Sequence, residues 1–204
     1  MPHKFNPRKR WKLDSPERIS FLPPEELLYL LGLEKNMIML DVGAGTGYFS
    51  VPASRIVGTY GRVIALDTEA EMIAEINEKI DGYKIRNMET LLSTEYDFNI
   101  DRESADFALL CQVLHEVEDW HLFLEEVCLS LKQGGIIGII EWIPAEMDMG
   151  PPPEERIEPQ ILKKLLESAG FADIETGEFN DYFYTARALK RHCLHGPTAV
   201  QSGT

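Results

Sequence analysis

From residue 37 onward, short apolar runs alternate with stretches whose apolar positions recur at helical spacing. Met37 to Val42 and Arg62 to Asp67 read as strands. A Gly-rich turn and a helix reaching about Val57 lie between them, and Gly58 and Gly61 close that helix. Thr68-Glu69-Ala70-Glu71 has capping-box spacing and predicts a helix through about Lys79. A weak strand near Met88 to Leu92 and a polar loop follow. Ala105 to Cys111 and Ile136 to Ile140 are nearly continuous apolar runs, the mark of central parallel strands covered on both faces. Between them, a helix from about Asp119 to Leu131 puts Phe123, Val127 and Leu131 on one stripe, and Gly134-Gly135 is expected to end it.

The flanks differ from this alternation. Leu13 to Leu33 reads as a helical preface with Pro24 as a first helical residue and Gly32 at the C-terminal cap; Leu27, Leu28, Leu30 and Leu31 are expected to dock it. Trp142 to Pro159 is a loop stiffened by Pro151, Pro152 and Pro153. A last helix spans about Glu158 to Ala169, and Ala172 to Asn180 with Asp181 to Leu189 forms a closing strand pair. The expected organisation is a basic arm and helical extension over 1–34, one domain over 35–191 with the loop 142–159, and a flexible tail over 192–204. Five strands alternating with helices, then an antiparallel pair, predict an open, doubly wound α/β sheet with helices on both faces. Ligands in such sheets sit beyond the carboxyl ends of the strands, at the switch point of strand order. The chemistry is therefore sought after Val42, Asp67, Leu92, Cys111 and Ile140.

Charge narrows the partners. The net charge is −14, yet the first twelve residues carry five Lys or Arg and no acid. The acidic remainder repels a phosphate backbone, so nucleic acid is not expected as the main partner. No apolar run reaches the ~20 residues of a membrane span, and the N-terminus lacks the apolar stretch of a secretory signal. Three widely spaced cysteines, Cys111, Cys128 and Cys193, are expected to be free thiols in a reducing compartment, the cytoplasm. His192, Cys193 and His195 do not complete a four-ligand metal site, so no metal is expected.

The candidate chemistry centres on Asp41-Val42-Gly43-Ala44-Gly45-Thr46-Gly47, between a strand and a helix. Alternate glycines let the backbone fold tightly and let a ligand approach it closely. Asp67 ends the next strand, where a carboxylate can accept bonds from both ribose hydroxyls, which specifies an adenosine-type ligand. A dinucleotide fingerprint needs a small residue at position 48, which is Tyr48, and Asp41 would repel a pyrophosphate while welcoming an amino group. Both features point away from NAD.

These residues, with Ala65-Leu66-Asp67, Asp106 to Leu110, Leu114-His115-Glu116-Val117 and Leu131 to Gly135, resemble the class I S-adenosylmethionine-dependent methyltransferases over about residues 35 to 145. The similarity is to the small-molecule type that includes quinone-biosynthesis methyltransferases. It implies a Rossmann-like seven-stranded sheet, mostly parallel with one antiparallel strand, and S-adenosylmethionine as cofactor. It further implies that Gly43, Ala44, Gly45 and Gly47 cradle the methionyl part, with Asp41 near its ammonium. By the same resemblance Asp67 takes the ribose, Thr68 and Met72 the adenine side, Ser93 or Glu95 the adenine amino group, and Cys111 and Gln112 line the sulfonium. Family members acting on exocyclic amines carry Pro-Pro-Tyr at the end of the fourth strand; Cys111-Gln112-Val113-Leu114 departs from that pattern.

His115 is the candidate base, the alternative being a ring packed beside the cofactor or bonded to a backbone carbonyl. Trp142 and Arg156 are candidate substrate contacts, Arg156 either pairing with an anionic substrate or opening a helix as a salt-bridge partner. The expected activity is methyl transfer to a small molecule by in-line displacement. Competing readings are a cofactor-binding scaffold subunit and a nicotinamide-dependent dehydrogenase.

Overall fold

The computed structural model describes residues 16–191. The basic arm and the tail over 192–204 lie outside the described residues. Two short helices, α1 (Pro16–Phe21) and α2 (Pro24–Leu31), precede β1 (Ile38–Val42), α3 (Ser50–Val57), β2 (Arg62–Asp67), α4 (Ala70–Tyr83) and β3 (Met88–Leu92). There follow β4 (Ala105–Cys111), α5 (Trp120–Ser130), β5 (Leu131–Trp142), α6 (Pro159–Ser168), β6 (Phe171–Glu178) and β7 (Phe183–Lys190). The helical preface is thus two helices, because the Pro23-Pro24 step breaks the first and starts the second.

One seven-stranded sheet has the order β3-β2-β1-β4-β5-β7-β6. Strands β1 to β5 pair in parallel, and β7 runs antiparallel to both of its neighbours. Succession reverses between β1 and β4, which places the switch point at their carboxyl ends. The β4–β5 ladder carries an irregularity between Ala105 and Phe107, at the amino end of β4; from Phe107–Ile136 to Cys111–Ile140 it is regular.

The strands alternate between two cores. Leu40, Val42, Leu110, Ile137 and Ile139 pack with Phe123 and Leu124 of α5 and Leu162 and Leu166 of α6. Met39, Leu109, Ile136 and Ile140 pack with Leu27, Leu28 and Leu31 of α2 and Ala53 of α3. Leu30 is 56% exposed and takes no part in this docking, contrary to expectation. Gly138 admits α2: a Cβ there would meet Phe107 at 2.9 Å and Leu31 at 3.1 Å.

Two local expectations are corrected. Helix α5 ends at Ser130, before Gly134-Gly135, because Leu131 turns extended and pairs with Ala105. Its carbonyl accepts a 2.6 Å bond from the buried Lys190 ammonium. Helix α4 starts one residue later than the capping box implies: Glu69 stands at its N-cap and its side chain makes no capping bond. Cys111 is a free thiol, whereas Cys128 is disulfide-bonded. The expectation of a free thiol therefore fails at Cys128, while Cys193 lies outside the described residues. Among the described residues no helix is long and apolar enough to cross a membrane, and no group of three or more His, Cys, Asp or Glu could hold a metal.

Candidate active site

At the carboxyl edge of the sheet, β1 delivers Asp41 into the interior, where the Ser50 hydroxyl of α3 donates to its Oδ2 at 2.5 Å. Burial pushes the Asp41 carboxyl up to about 6; the Ser50 bond opposes this, and neighbouring Asp67 adds to it. The following turn has positive φ at Gly43 (72°), Gly45 (55°) and Gly47 (81°), a left-handed backbone that suits glycine. Gly43 is also closely overlaid by β4's continuation, since a Cβ there would come within 2.6 Å of Val113. The amides of Gly43 and Ala44 both donate to the Leu66 carbonyl, which ties the loop to β2. Lys79 of α4 donates to the Thr46 carbonyl at 2.7 Å and holds the loop from the other side.

Asp67 organises this corner. Its Oδ2 accepts from the Gly45 amide at 2.8 Å and its Oδ1 from the Glu69 amide at 2.9 Å. One carboxylate thus fixes the glycine loop and opens α4, and each oxygen keeps lone-pair capacity for a ligand hydroxyl. Burial raises its carboxyl, and the backbone amides of Glu69, Gly45 and Thr68 oppose the rise. The Ser93 amide donates to the Asp67 carbonyl at 3.0 Å, bringing Ser93 to the same edge. Glu95 instead accepts from the Glu118 amide at 3.2 Å, which ties it to the loop before α5. Thr68 is exposed and Met72 is buried on α4.

Cys111 closes β4, and burial raises its thiol. Gln112 takes a positive φ of 59° and turns the chain into a single 3-10 turn, Leu114–Glu116. That turn presents His115, whose ring Nδ1 lies 2.9 Å from Oε2 of Glu141. Glu141 is 1% exposed at the end of β5. It also accepts from the Leu114 and Trp142 amides. Burial alone would lower the His115 ring; the Glu141 carboxylate overrides it, and the net shift is upward.

Trp142 and Arg156 do not stand as free substrate contacts. The Arg156 guanidinium donates to the carbonyls of Pro151, Ile143, Ala145 and Met149, and so staples the loop 143–151 into one shape. Its donors are engaged by backbone, the reason an anion-pairing role is not supported. The Trp142 ring packs against Phe183 with centroids 4.6 Å apart, against Gly150, where a Cβ would come within 2.8 Å of it, and beneath Arg156. It buttresses the loop from within.

The donor set fits an adenosyl amino acid: a buried carboxylate for an ammonium, a second one at the ribose position, and a glycine turn between them. Residues 40–139 match the family described as a methyltransferase domain. The crystal structure of a SAM-dependent methyltransferase from Aquifex aeolicus is 34% identical, with a TM-score of 0.87, over 91% of this chain and 99% of that one. The chain belongs to the S-adenosylmethionine-dependent methyltransferases. The demethylmenaquinone methyltransferase of Oceanobacillus iheyensis is 26% identical over 137 residues, 67% of this chain and 52% of that protein. The ribosomal RNA small subunit methyltransferase G of Oenococcus oeni is 30% identical over 126 residues, 60% of this chain and 50% of that protein. The chain spans about half the length of the curated relatives it matches. S-adenosylmethionine is accordingly the cofactor of this methyltransferase.

Sequence reasoning missed Glu141 and Arg18, and the structural use of Tyr48. Glu141 left a signal, an acid closing an otherwise apolar central strand. Arg18 left none, because its neighbours in space are Tyr48 and Gln112, far along the chain.

Proposed function

We propose that this methyltransferase acts on a small-molecule acceptor that must lose a proton from oxygen or an activated carbon, with His115 as the base. The observation that carries this reading is the buried His115–Glu141 pair beside the end of β4. S-adenosylmethionine, when bound, supplies a methyl already activated by its sulfonium, so the chain's work is orientation, exclusion of water and proton removal. Glu141 holds Nδ1 of His115, so Nε2, which lies 3.8 Å from Glu116 Oε1, is the nitrogen that takes the acceptor's proton. Asp41 receives the ammonium of the methionyl end above Gly43, Ala44, Gly45 and Gly47. Asp67 receives the ribose hydroxyls, Met72 and Thr68 flank the adenine, and the Ser93 side chain serves its amino group better than Glu95. Backbone at Cys111 and Gln112 borders the sulfonium. The Arg156-stapled loop, with Met147 and Met149, supplies an apolar wall for the acceptor.

A net charge of −14 favours a small acceptor over RNA. The likeness to a demethylmenaquinone methyltransferase agrees with that choice. The test is calorimetric titration with S-adenosylmethionine, S-adenosylhomocysteine and NAD, on wild type and Asp67→Ala, followed by methyl transfer assays on hydroxylated aromatics and quinols beside ribosomal RNA. Micromolar binding of the sulfur ligands alone, lost in the variant, with turnover of the small acceptors, is the expected result. Turnover of RNA alone would overturn the acceptor assignment.

A further inference from the structure

Arg18 occupies an unusual place for a residue of a short N-terminal helix. It is 8% exposed, its guanidinium carbon lies 4.3 Å above the centre of the Tyr48 ring, and its Nη2 donates to Gln112 Oε1 at 3.4 Å. Tyr48 directly follows the glycine loop and Gln112 directly follows β4, so Arg18 bridges the two strand ends that define the switch point. Its charge reaches both Asp41 and Cys111, where it opposes their upward shifts.

The helix that carries it is fastened at its other end. Tyr48 Oη donates to the Leu22 carbonyl at 2.7 Å, and Asn180 Nδ2 donates to the Phe21 carbonyl at 2.6 Å. The Phe21 ring stacks on Phe183 with centroids 6.2 Å apart. Tyr48 thus serves α1 twice, through its face to Arg18 and through its hydroxyl to Leu22. A guanidinium held over a tyrosine ring is suited to recognition of a carboxylate.

A buried acid, Asp41, and a buried cation, Arg18, therefore converge from two different elements on one glycine turn. That pairing complements an α-amino acid in its zwitterionic form, with its ammonium and carboxylate on adjacent atoms. We propose that Arg18, aimed by Tyr48 and Gln112, receives the carboxylate of the cofactor's methionyl end, and that α1 is the roof of that subsite. The proposal rests on the placement of the methionyl end at the Gly43–Gly47 turn given above.

The test removes the carboxylate from the ligand and the cation from the protein, separately and together. S-adenosylhomocysteine and its decarboxylated analogue, which keeps the amine, are titrated calorimetrically into wild type, Arg18→Ala, Arg18→Lys and Asp67→Ala, each checked by circular dichroism and melting temperature. Wild type should prefer the carboxylate-bearing ligand by roughly 30-fold or more, as for a buried charged hydrogen bond. Arg18→Ala should bind both ligands alike, near the wild-type affinity for the decarboxylated one, and Arg18→Lys should restore part of the preference. Asp67→Ala should weaken both ligands equally. Arg18→Ala that keeps the preference would overturn the proposal, and so would a variant that loses both ligands in proportion, which would make Arg18 a purely structural contact. Wild type that binds neither ligand would overturn the reading of the whole cofactor site.

Discussion

His115 Nδ1 and Glu141 Oε2, 26 residues apart in the chain, stand 2.9 Å apart at the ends of adjacent strands. The carboxylate can accept Nδ1–H, which fixes the tautomer, while Nε2 lies 3.8 Å from Glu116 Oε1. Because Glu141 raises the ring's pKa against the lowering effect of burial, His115 stays protonated above its ordinary 6.5. The active, neutral base is then lost as pH falls through that raised value. Glu141→Gln should bring the His115 titration, followed by NMR of the ring protons, to lower pH and shift the acidic limb of the rate profile with it. His115→Gln should lower kcat by about 100-fold or more. In stability the same pair contributes below 6.5 and fades as pH rises through the folded-state value.

Asp41 trades stability for binding. Its folded-state pKa of about 6, against an ordinary 3.8, means that the folded protein holds a proton the unfolded chain releases. Lowering the pH from 7 through 6 toward 4 should therefore favour the folded ligand-free protein through this group. At pH 7 the buried charge costs on the order of 3 kcal/mol. Asp41→Asn should raise the melting temperature of the ligand-free protein at pH 7 while weakening S-adenosylmethionine at least about tenfold, for want of an ammonium partner. Paired melting and calorimetry would check both halves; a variant that gains stability and keeps affinity would refute the ammonium role.

The Gly43 turn has no room for a side chain. Gly43→Ala must accept a positive φ, about 1–2 kcal/mol, and a 2.6 Å approach to the stiff Val113 side chain. Chemical denaturation should show a loss of about 2 kcal/mol or more, with cofactor binding reduced in parallel.

Arg156 should behave as a staple. Arg156→Lys keeps the charge but cannot reach four carbonyls at once. Limited proteolysis should cut between residues 143 and 151 faster in this variant, while S-adenosylhomocysteine affinity stays near wild type. A loss of acceptor binding with an unchanged proteolysis rate would restore Arg156 as a direct substrate contact.

The sheet was legible because its central strands are apolar on both faces, so β1, β2, β4 and β5 announce themselves by composition alone. Asp41 and Asp67 were legible because a charge at the end of such a strand needs a reason. Strand β5, however, begins at Leu131, five residues ahead of its apolar run, through a ladder contact to Ala105 and the buried Lys190 ammonium. No local pattern encodes that. The stapling by Arg156 was hidden for a related reason: its partners are carbonyls, which every residue carries and no sequence motif displays. Tyr48 was noticed only as an obstacle to a dinucleotide, while its use, aiming Arg18 and holding Leu22, depends on a helix more than twenty residues upstream.

The irregularity in the β4–β5 ladder lies at Ala105–Phe107, the edge remote from His115 and Glu141. Side chains alternate along a strand, so a one-residue slip reaching the other edge would replace the Glu141 carboxylate with the Trp142 indole or the Ile140 side chain, according to its direction, and turn Glu141 into the core that holds Ile140 and Trp142. A change in the length of the segment entering β5 can be absorbed at that bulge. An insertion or deletion between Ile136 and Trp142 instead replaces the partner of His115 in a single step.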